Sequence, residues 1–169
     1  MNRRNFLYCT TGAFAALAGG AFLVGNRPGG KAMAETFEIT KTEDEWRRIL
    51  SEQQFAVLRE EATERAFTSP LNEEKRAGLF HCAGCDLPVY SSETKFDSGT
   101  GWPSFWEAVP DAIGTKEDNS LFMTRTECHC RRCGGHLGHI FDDGPPPTGK
   151  RHCINGVAMT FKPGATQAS

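Results

Sequence analysis

Two Cys-x-x-Cys pairs constrain this chain more than any other feature. Cys82-Ala83-Gly84-Cys85 and Cys130-Arg131-Arg132-Cys133 stand far apart, with Cys85 and Cys130 separated by 45 positions. Each pair makes a turn that presents two thiolates, and two such turns complete a closed tetrahedral Zn²⁺ shell. The competing readings are two local disulfides or a redox-active pair. Thioredoxin-like chemistry asks for one pair at a helix start after a strand, not two matched turns. Cys82, Cys85, Cys130 and Cys133 are therefore the expected ligands of a structural zinc, with His81 and His129 lying outside the shell.

The first 34 residues read as an export signal. Arg3-Arg4-Asn5-Phe6-Leu7 is a twin-arginine signature, followed by an apolar run from Ala13 to Val24 and by Ala32-Met33-Ala34, an A-x-A cleavage pattern. The apolar run falls short of the roughly 20 residues that span a bilayer. The expectation is a twin-arginine signal peptide over 1–34, a linker over 35–40, one domain over 41–165 and a tail over 166–169. The mature protein would be periplasmic or otherwise exported, with no stable membrane insertion after cleavage. The signal carries Arg3, Arg4, Arg27 and Lys31 and no acid, which leaves 15 basic against 21 acidic residues, a net charge of −6. That charge argues against nucleic acid, whose affinity rests on phosphate neutralisation. Export of a folded chain would let metal load before the oxidising compartment is reached.

Along the domain, Thr42-Glu43-Asp44-Glu45 and Ser51-Glu52-Gln53-Gln54 are capping-box patterns, and helix is expected within 42–64. Trp46, Ile49, Leu50, Phe55 and Leu58 supply its apolar sides. Pro70 ends helical character. From Gly78 onward, short runs broken by turn residues predict strands: Leu79–His81, Leu87–Tyr90, Leu121–Thr126, His136–Phe141 and a single strand over 152–161. The fold class is mainly β (α+β): antiparallel sheet with N-terminal helices and a structural zinc site.

Three features outside the pairs carry chemistry. Cys153 stands in Arg151-His152-Cys153-Ile154-Asn155. On a strand, Cys153 and Asn155 share a face, and Arg151 and His152 add positive charge that favours a thiolate. A buried structural cysteine is the alternative. His136-Leu137-Gly138-His139 places two imidazoles three apart. A regular strand would send them to opposite faces, but a bulge at Gly138 could re-aim them. They read as acid/base or substrate-binding groups, the alternative being metal ligation. Phe96 to Trp106 combines glycines with four aromatics, a wall for a small apolar group or simply core filling.

Taken together these motifs resemble the B-type peptide methionine sulfoxide reductases, over roughly residues 40–163. The resemblance rests on both Cys-x-x-Cys pairs, Phe96-Asp97-Ser98-Gly99-Thr100-Gly101-Trp102-Pro103-Ser104-Phe105, His136 to Pro145 and Arg151-His152-Cys153-Ile154-Asn155. It implies two antiparallel sheets and reduction of the R epimer of methionine sulfoxide, chiefly in oxidised proteins and peptides. It implies Cys153 as nucleophile and His136, His139 and Asn155 as groups that position and protonate the sulfoxide. Trp102, Phe105 and Arg151 would bind substrate around the sulfur. It further implies structural zinc and an external thiol reductant such as thioredoxin, acting on an expected monomer. Many members carry a resolving cysteine where this chain has Thr100, and Cys128 is the only other cysteine outside the pairs in the mature chain. Direct reduction of oxidised Cys153 is the favoured expectation. The rival classes are a zinc-ribbon binding module, which leaves Cys153, Trp102 and the histidines unexplained, and a zinc-thiolate sensor that releases metal on oxidation.

Overall fold

The computed structural model describes residues 36–120, 123–164 and 166. The signal expected over 1–34, most of the tail and the first residues of the strand expected from Leu121 lie outside these.

The two capping boxes form as read. Thr42 and Glu45 cap helix α1, Glu43–Ile49, reciprocally, and Ser51 and Gln54 do the same for α2, Glu52–Glu60. Each pairing satisfies two orphan N–H groups, worth about 1 kcal/mol per helix. The second box splits what could have been one helix: Leu50 turns extended between them, and α2 ends with Glu61 in the left-handed region. Residues 61–69 follow as an irregular segment with a turn at Ala66–Phe67, where Phe67 is left-handed.

Among the described residues nine strands follow: β1 Gly78–Cys82, β2 Pro88–Ser91, β3 Lys95–Phe96, β4 Ser104–Phe105, β5 Ile113–Asp118, β6 Arg125–Cys130, β7 His136–Phe141, β8 Arg151–Ile154 and β9 Met159–Pro163. They form two sheets, ordered β2-β1-β9 and β3-β4-β8-β7-β6-β5, with every pairing antiparallel. The expected mainly-β class with two antiparallel sheets and N-terminal helices is what the chain adopts.

Two strand expectations need correction. The strand approaching the second pair is displaced: it is β6, which runs through Cys128 to Cys130. The single strand over 152–161 is two. β8 ends at Ile154, a 3₁₀ turn over Gly156–Ala158 intervenes, and β9 joins the other sheet. The turn is marked in the sequence by the Asn155-Gly156 pair, a common turn former, although no proline accompanies it.

The sheets meet through aromatic rings. Tyr90 of β2 stacks on Phe105 of β4 at 4.4 Å, and Phe80 of β1 meets Phe105 and Phe161 edge-on or tilted, each at 5.0 Å. All but Phe161 are fully buried. Burying a ring of this size is worth roughly 1.5–3 kcal/mol. Phe105, expected at the substrate pocket, is a core residue instead. It follows Ser104 on β4, so strand alternation turns its ring inward.

The helices pack on the cysteine loops. The Arg59 guanidinium lies 4.5 Å from the Trp46 ring and donates to the Cys133 carbonyl at 3.1 Å. At Gly84 a Cβ would stand 3.5 Å from Cys133 Sγ and 3.6 Å from Trp46.

Candidate active site

The six-stranded sheet aligns the chemistry in one row. Cys153 pairs in register with Ser104 on one side and with His139 on the other, and His139 pairs in turn with Glu127. Residues opposite one another share a face. The thiol on β8, the imidazole one strand away on β7 and the carboxylate two strands away on β6 thus look the same way.

A bulge gathers the second imidazole. Cys128 pairs with Gly138, but His129 pairs with His136, so Leu137 is an extra residue in β7. The extra residue undoes the alternation that would have sent His136 and His139 to opposite faces. Their rings sit 5.4 Å apart, edge to face.

A cleft of about 140 Å³ opens at Cys153, lined by Trp102, His139, Asn155, Thr63, Arg125 and Phe141. It is smaller than the usual 300–1,000 Å³ ligand pocket and suits one side-chain end. The expected site residues Cys153, Trp102, His139 and Asn155 therefore converge. Arg151 is close beside them: two residues before Cys153 on β8, it interacts with the thiol and forks onto Asp143 with two bonds of 2.9 Å. His136 lies behind His139, buried, its Nδ1 2.7 Å from Glu127 Oε1.

Each side chain has a fixing partner. His139 Nε2 lies 2.8 Å from Asp118 Oδ2, and Asp118 also accepts from Arg125 at 2.6 Å. Trp102 Nε1 donates to the Glu64 carbonyl at 2.9 Å. Asn155 sits just past the end of β8. Its Nδ2 donates to the Leu137 carbonyl at 3.0 Å, and its Oδ1 accepts from the Glu64 amide at 2.8 Å. The Glu64 carboxylate caps the following turn through Gly156 N–H at 2.7 Å. Asp118, Glu127 and Glu64 carry no local sequence signal, because each acts from another strand or segment.

The electrostatics are set by burial against these partners. Burial pushes the Cys153 thiol up, while the Thr100 hydroxyl and then Arg151 pull it back. The expected help from His152 is absent. His152 faces the core on the other side of β8, bonded to the Tyr90 hydroxyl at 3.1 Å, and burial lowers it to about 4. Burial also lowers His139, against the hydrogen bond it makes to the Asp118 carboxylate, which raises it. Ser120, then His139 and Arg125, hold Asp118 well below the usual carboxylate range. For Glu127, burial pushes upward, but the bonds to His129 and His136 prevail and hold it at about 2.

Cys128 lies opposite Gly138, which lies opposite Ile154. It therefore shares the core face with Ile154, fully buried and 3.8 Å from the Tyr90 hydroxyl, while Cys153 faces the cleft.

The four paired cysteines form a separate cluster, with all sulfurs within 4.8 Å of one another and none in a disulfide. Cys82–Cys133 and Cys85–Cys130 approach to 3.7 and 3.4 Å. A tetrahedral ion with bonds of about 2.3 Å sets its sulfurs roughly 3.8 Å apart, so the cluster fits a four-thiolate metal site. Cys153 stands outside it.

The SelR domain model matches residues 50–163. Among similar proteins, a Pseudomonas putida "Peptide methionine sulfoxide reductase MsrB" is 54% identical over 127 residues, covering 75% of this chain and 96% of that protein. A Methanosarcina barkeri protein of the same name is 51% identical over 125 residues, covering 73% of this chain and 88% of its own length. The rice "Peptide methionine sulfoxide reductase B1, chloroplastic" is 48% identical over 127 residues, 75% of this chain and 59% of that protein. With a six-stranded sheet that aims one unmetallated cysteine at a cleft, and a match over most of the domain, the chain belongs to the SelR-domain family of MsrB peptide methionine sulfoxide reductases.

Proposed function

We propose that this protein reduces the R epimer of methionine sulfoxide in oxidised proteins and peptides, using Cys153 as the nucleophile. The observation that carries the reading is the convergence of Cys153, Trp102, His139 and Asn155 on one small cleft. The sulfoxide sulfur is electron-poor and its oxygen electron-rich. The anionic Cys153 sulfur bonds to the substrate sulfur while His139 gives a proton to the oxygen, leaving that sulfur carrying both the hydroxyl and the cysteine. The hydroxyl then passes to the Cys153 sulfur: a new S–O bond forms there as the substrate's S–O and S–S bonds break, methionine leaves with the electron pair, and Cys153 is left as a sulfenic acid. The indole of Trp102 packs the substrate methyl. The Asn155 carboxamide has a second amide hydrogen with which to hold the oxygen. His136, anchored by Glu127, supports His139 from behind, and Arg151 favours the anionic sulfur.

An external thiol such as thioredoxin attacks the sulfenic acid directly and releases water. A second thiol cleaves the mixed disulfide and restores Cys153. Thr100 supplies no sulfur, and Cys128 faces the core, which supports this route. The four-cysteine cluster holds zinc, which ties the 82–85 and 130–133 loops together and supplies folding energy. Arg3 and Arg4 and the cleavage pattern at Ala32–Ala34 support twin-arginine export to the periplasm or its equivalent.

The test is incubation of an R-sulfoxide peptide with dithiothreitol and either the natural protein or Cys153→Ser. Loss of one oxygen mass from the R epimer alone, abolished by Cys153→Ser, is expected. Near-normal reduction by Cys153→Ser would remove Cys153 as the nucleophile.

A further inference from the structure

A run of three hydroxyls leads to the Cys153 sulfur. Ser104, directly across the β4–β8 pair from Cys153, is fully buried. Its Oγ lies 2.7 Å from Ser98 Oγ and 3.1 Å from the Trp102 carbonyl. Ser98 Oγ lies 2.8 Å from Thr100 Oγ1, and Thr100 Oγ1 is 3.9 Å from Cys153 Sγ, within reach of a bond to sulfur. The loop is shaped for this return. Gly99 and Gly101, on either side of Thr100, both adopt the left-handed backbone region. At Gly101 a Cβ would stand 2.8 Å from the Phe67 backbone nitrogen, so glycine is required there.

We propose that Ser104, Ser98 and Thr100 act as a reversible hydroxyl chain that stabilises the Cys153 thiolate. Each hydroxyl has one hydrogen to give and lone pairs to accept, so the chain has two complete polarities. With Cys153 as a thiol, S–H donates to Thr100, Thr100 to Ser98, Ser98 to Ser104, and Ser104 to the Trp102 carbonyl. When Cys153 ionises, every donor turns round: Ser104 donates to Ser98, Ser98 to Thr100, and Thr100 to the anion. Only the Trp102 carbonyl bond is given up, and it is replaced by a charge-assisted bond, the stronger kind. The reversal needs only hydroxyl rotation. Thr100 is thus a positioning residue for the anion, acting alongside Arg151.

The other charged and titratable groups facing the sulfur are few. Arg151 and its partner Asp143 flank it on β8 and the preceding loop, and both bear on its ionisation. His139 faces it from β7, backed by Asp118 and Arg125. From β4 and the 98–101 loop the polar partners are uncharged hydroxyls.

This inference rests on Cys153 being the reactive thiol, but its test needs no sulfoxide. Full-length protein is alkylated with iodoacetamide across pH, and labelling is read at the Cys153 peptide by mass. Thr100→Val removes the hydroxyl and keeps the shape. It is expected to raise the alkylation midpoint and slow labelling at pH 7 by about three- to tenfold. Thr100→Ser should match the natural protein, and Ser98→Ala should shift the midpoint the same way by less. A Thr100→Val profile coinciding with the natural one overturns the proposal. Equal shifts from Thr100→Val and Thr100→Ser overturn it too, because they would trace to loop packing. An unmoved Ser98→Ala profile ends the chain at Thr100 and overturns its cooperative form. Failure of the nucleophile assignment would appear elsewhere, as sulfoxide reduction by Cys153→Ser.

Discussion

Cys128 and Cys153 lie on opposite faces of one sheet, with the backbone of β7 between them. The approach is close: a Cβ on Gly138 would meet the Cys153 carbonyl oxygen at 2.0 Å. A bridge between the two sulfurs would require β7 to leave the sheet, and burial already pushes the Cys128 thiol up to about 12, so its thiolate is scarce. Cys128→Ser should therefore retain turnover with dithiothreitol within about twofold, since neither the attacking sulfur nor the reductant's access changes. Mass analysis of protein oxidised by one equivalent of sulfoxide should find a dimedone-reactive sulfenic acid and no Cys128–Cys153 peptide. A dominant bridged peptide would reverse this view of recycling.

The Asp118–His139 bond predicts a catalytic cost at a distance from the sulfur. Asp118→Asn leaves a side chain of the same shape but cannot hold an imidazolium by charge. The turnover number should fall by about tenfold or more, with a smaller change in KM. His139→Asn should lose about 10²–10⁴-fold, the range for a general acid. Steady-state kinetics of both variants decides. Equal, small losses would move the proton source to His136.

His152 predicts an acid weakness unrelated to catalysis. Its folded value of about 4 lies below the usual 6.5, so the neutral ring is the one the core accepts. The associated stability is complete above pH 6.5 and fades as pH falls toward 4, by up to roughly 3 kcal/mol. His152→Phe removes this titration along with the bond to Tyr90. Thermal midpoints should fall less steeply between pH 6.5 and 4 in the variant. Parallel curves would argue that the ring titrates normally.

The cysteine cluster predicts folding linked to metal. Four-thiolate zinc is worth on the order of 10–16 kcal/mol of apparent binding energy in peptides, as much as a whole domain's stability. Chelation or Cys130→Ser should abolish the cooperative thermal transition, and one zinc per natural chain should be found by metal analysis. A native circular dichroism spectrum after complete metal removal would contradict a structural role.

Much of the site could be read from the chain because its parts are local. Both capping boxes, the two cysteine turns, the Arg151–Asn155 run and the bulge between His136 and His139 are written in consecutive residues. What could not be read depends on where strands lie in the sheet. Asp118 reaches His139 from β5 across β6, Glu64 holds Trp102 and Asn155 from a segment before the first strand, and neither contact has a sequence period. Phe105 and His152 face the core for a related reason. Both neighbour site residues on their strands, and alternation sends such neighbours to the other face. The break after Ile154 has a signal in the chain, the turn-forming Asn155-Gly156 pair, which the strand-like residues on either side override in a reading by apolar runs alone.

Leu137 makes the two imidazoles a question of odd and even. Excising it would leave the rings two positions apart, and a plain ribbon keeps such a pair on one side with no extra residue needed. The thiol and the metal loops would be untouched. What the shortening would remove is the carbonyl onto which both the backbone and the carboxamide of Asn155 donate. The irregularity therefore serves two masters, and a trimmed ribbon that still presents both rings should lose its hold on the amide beside them.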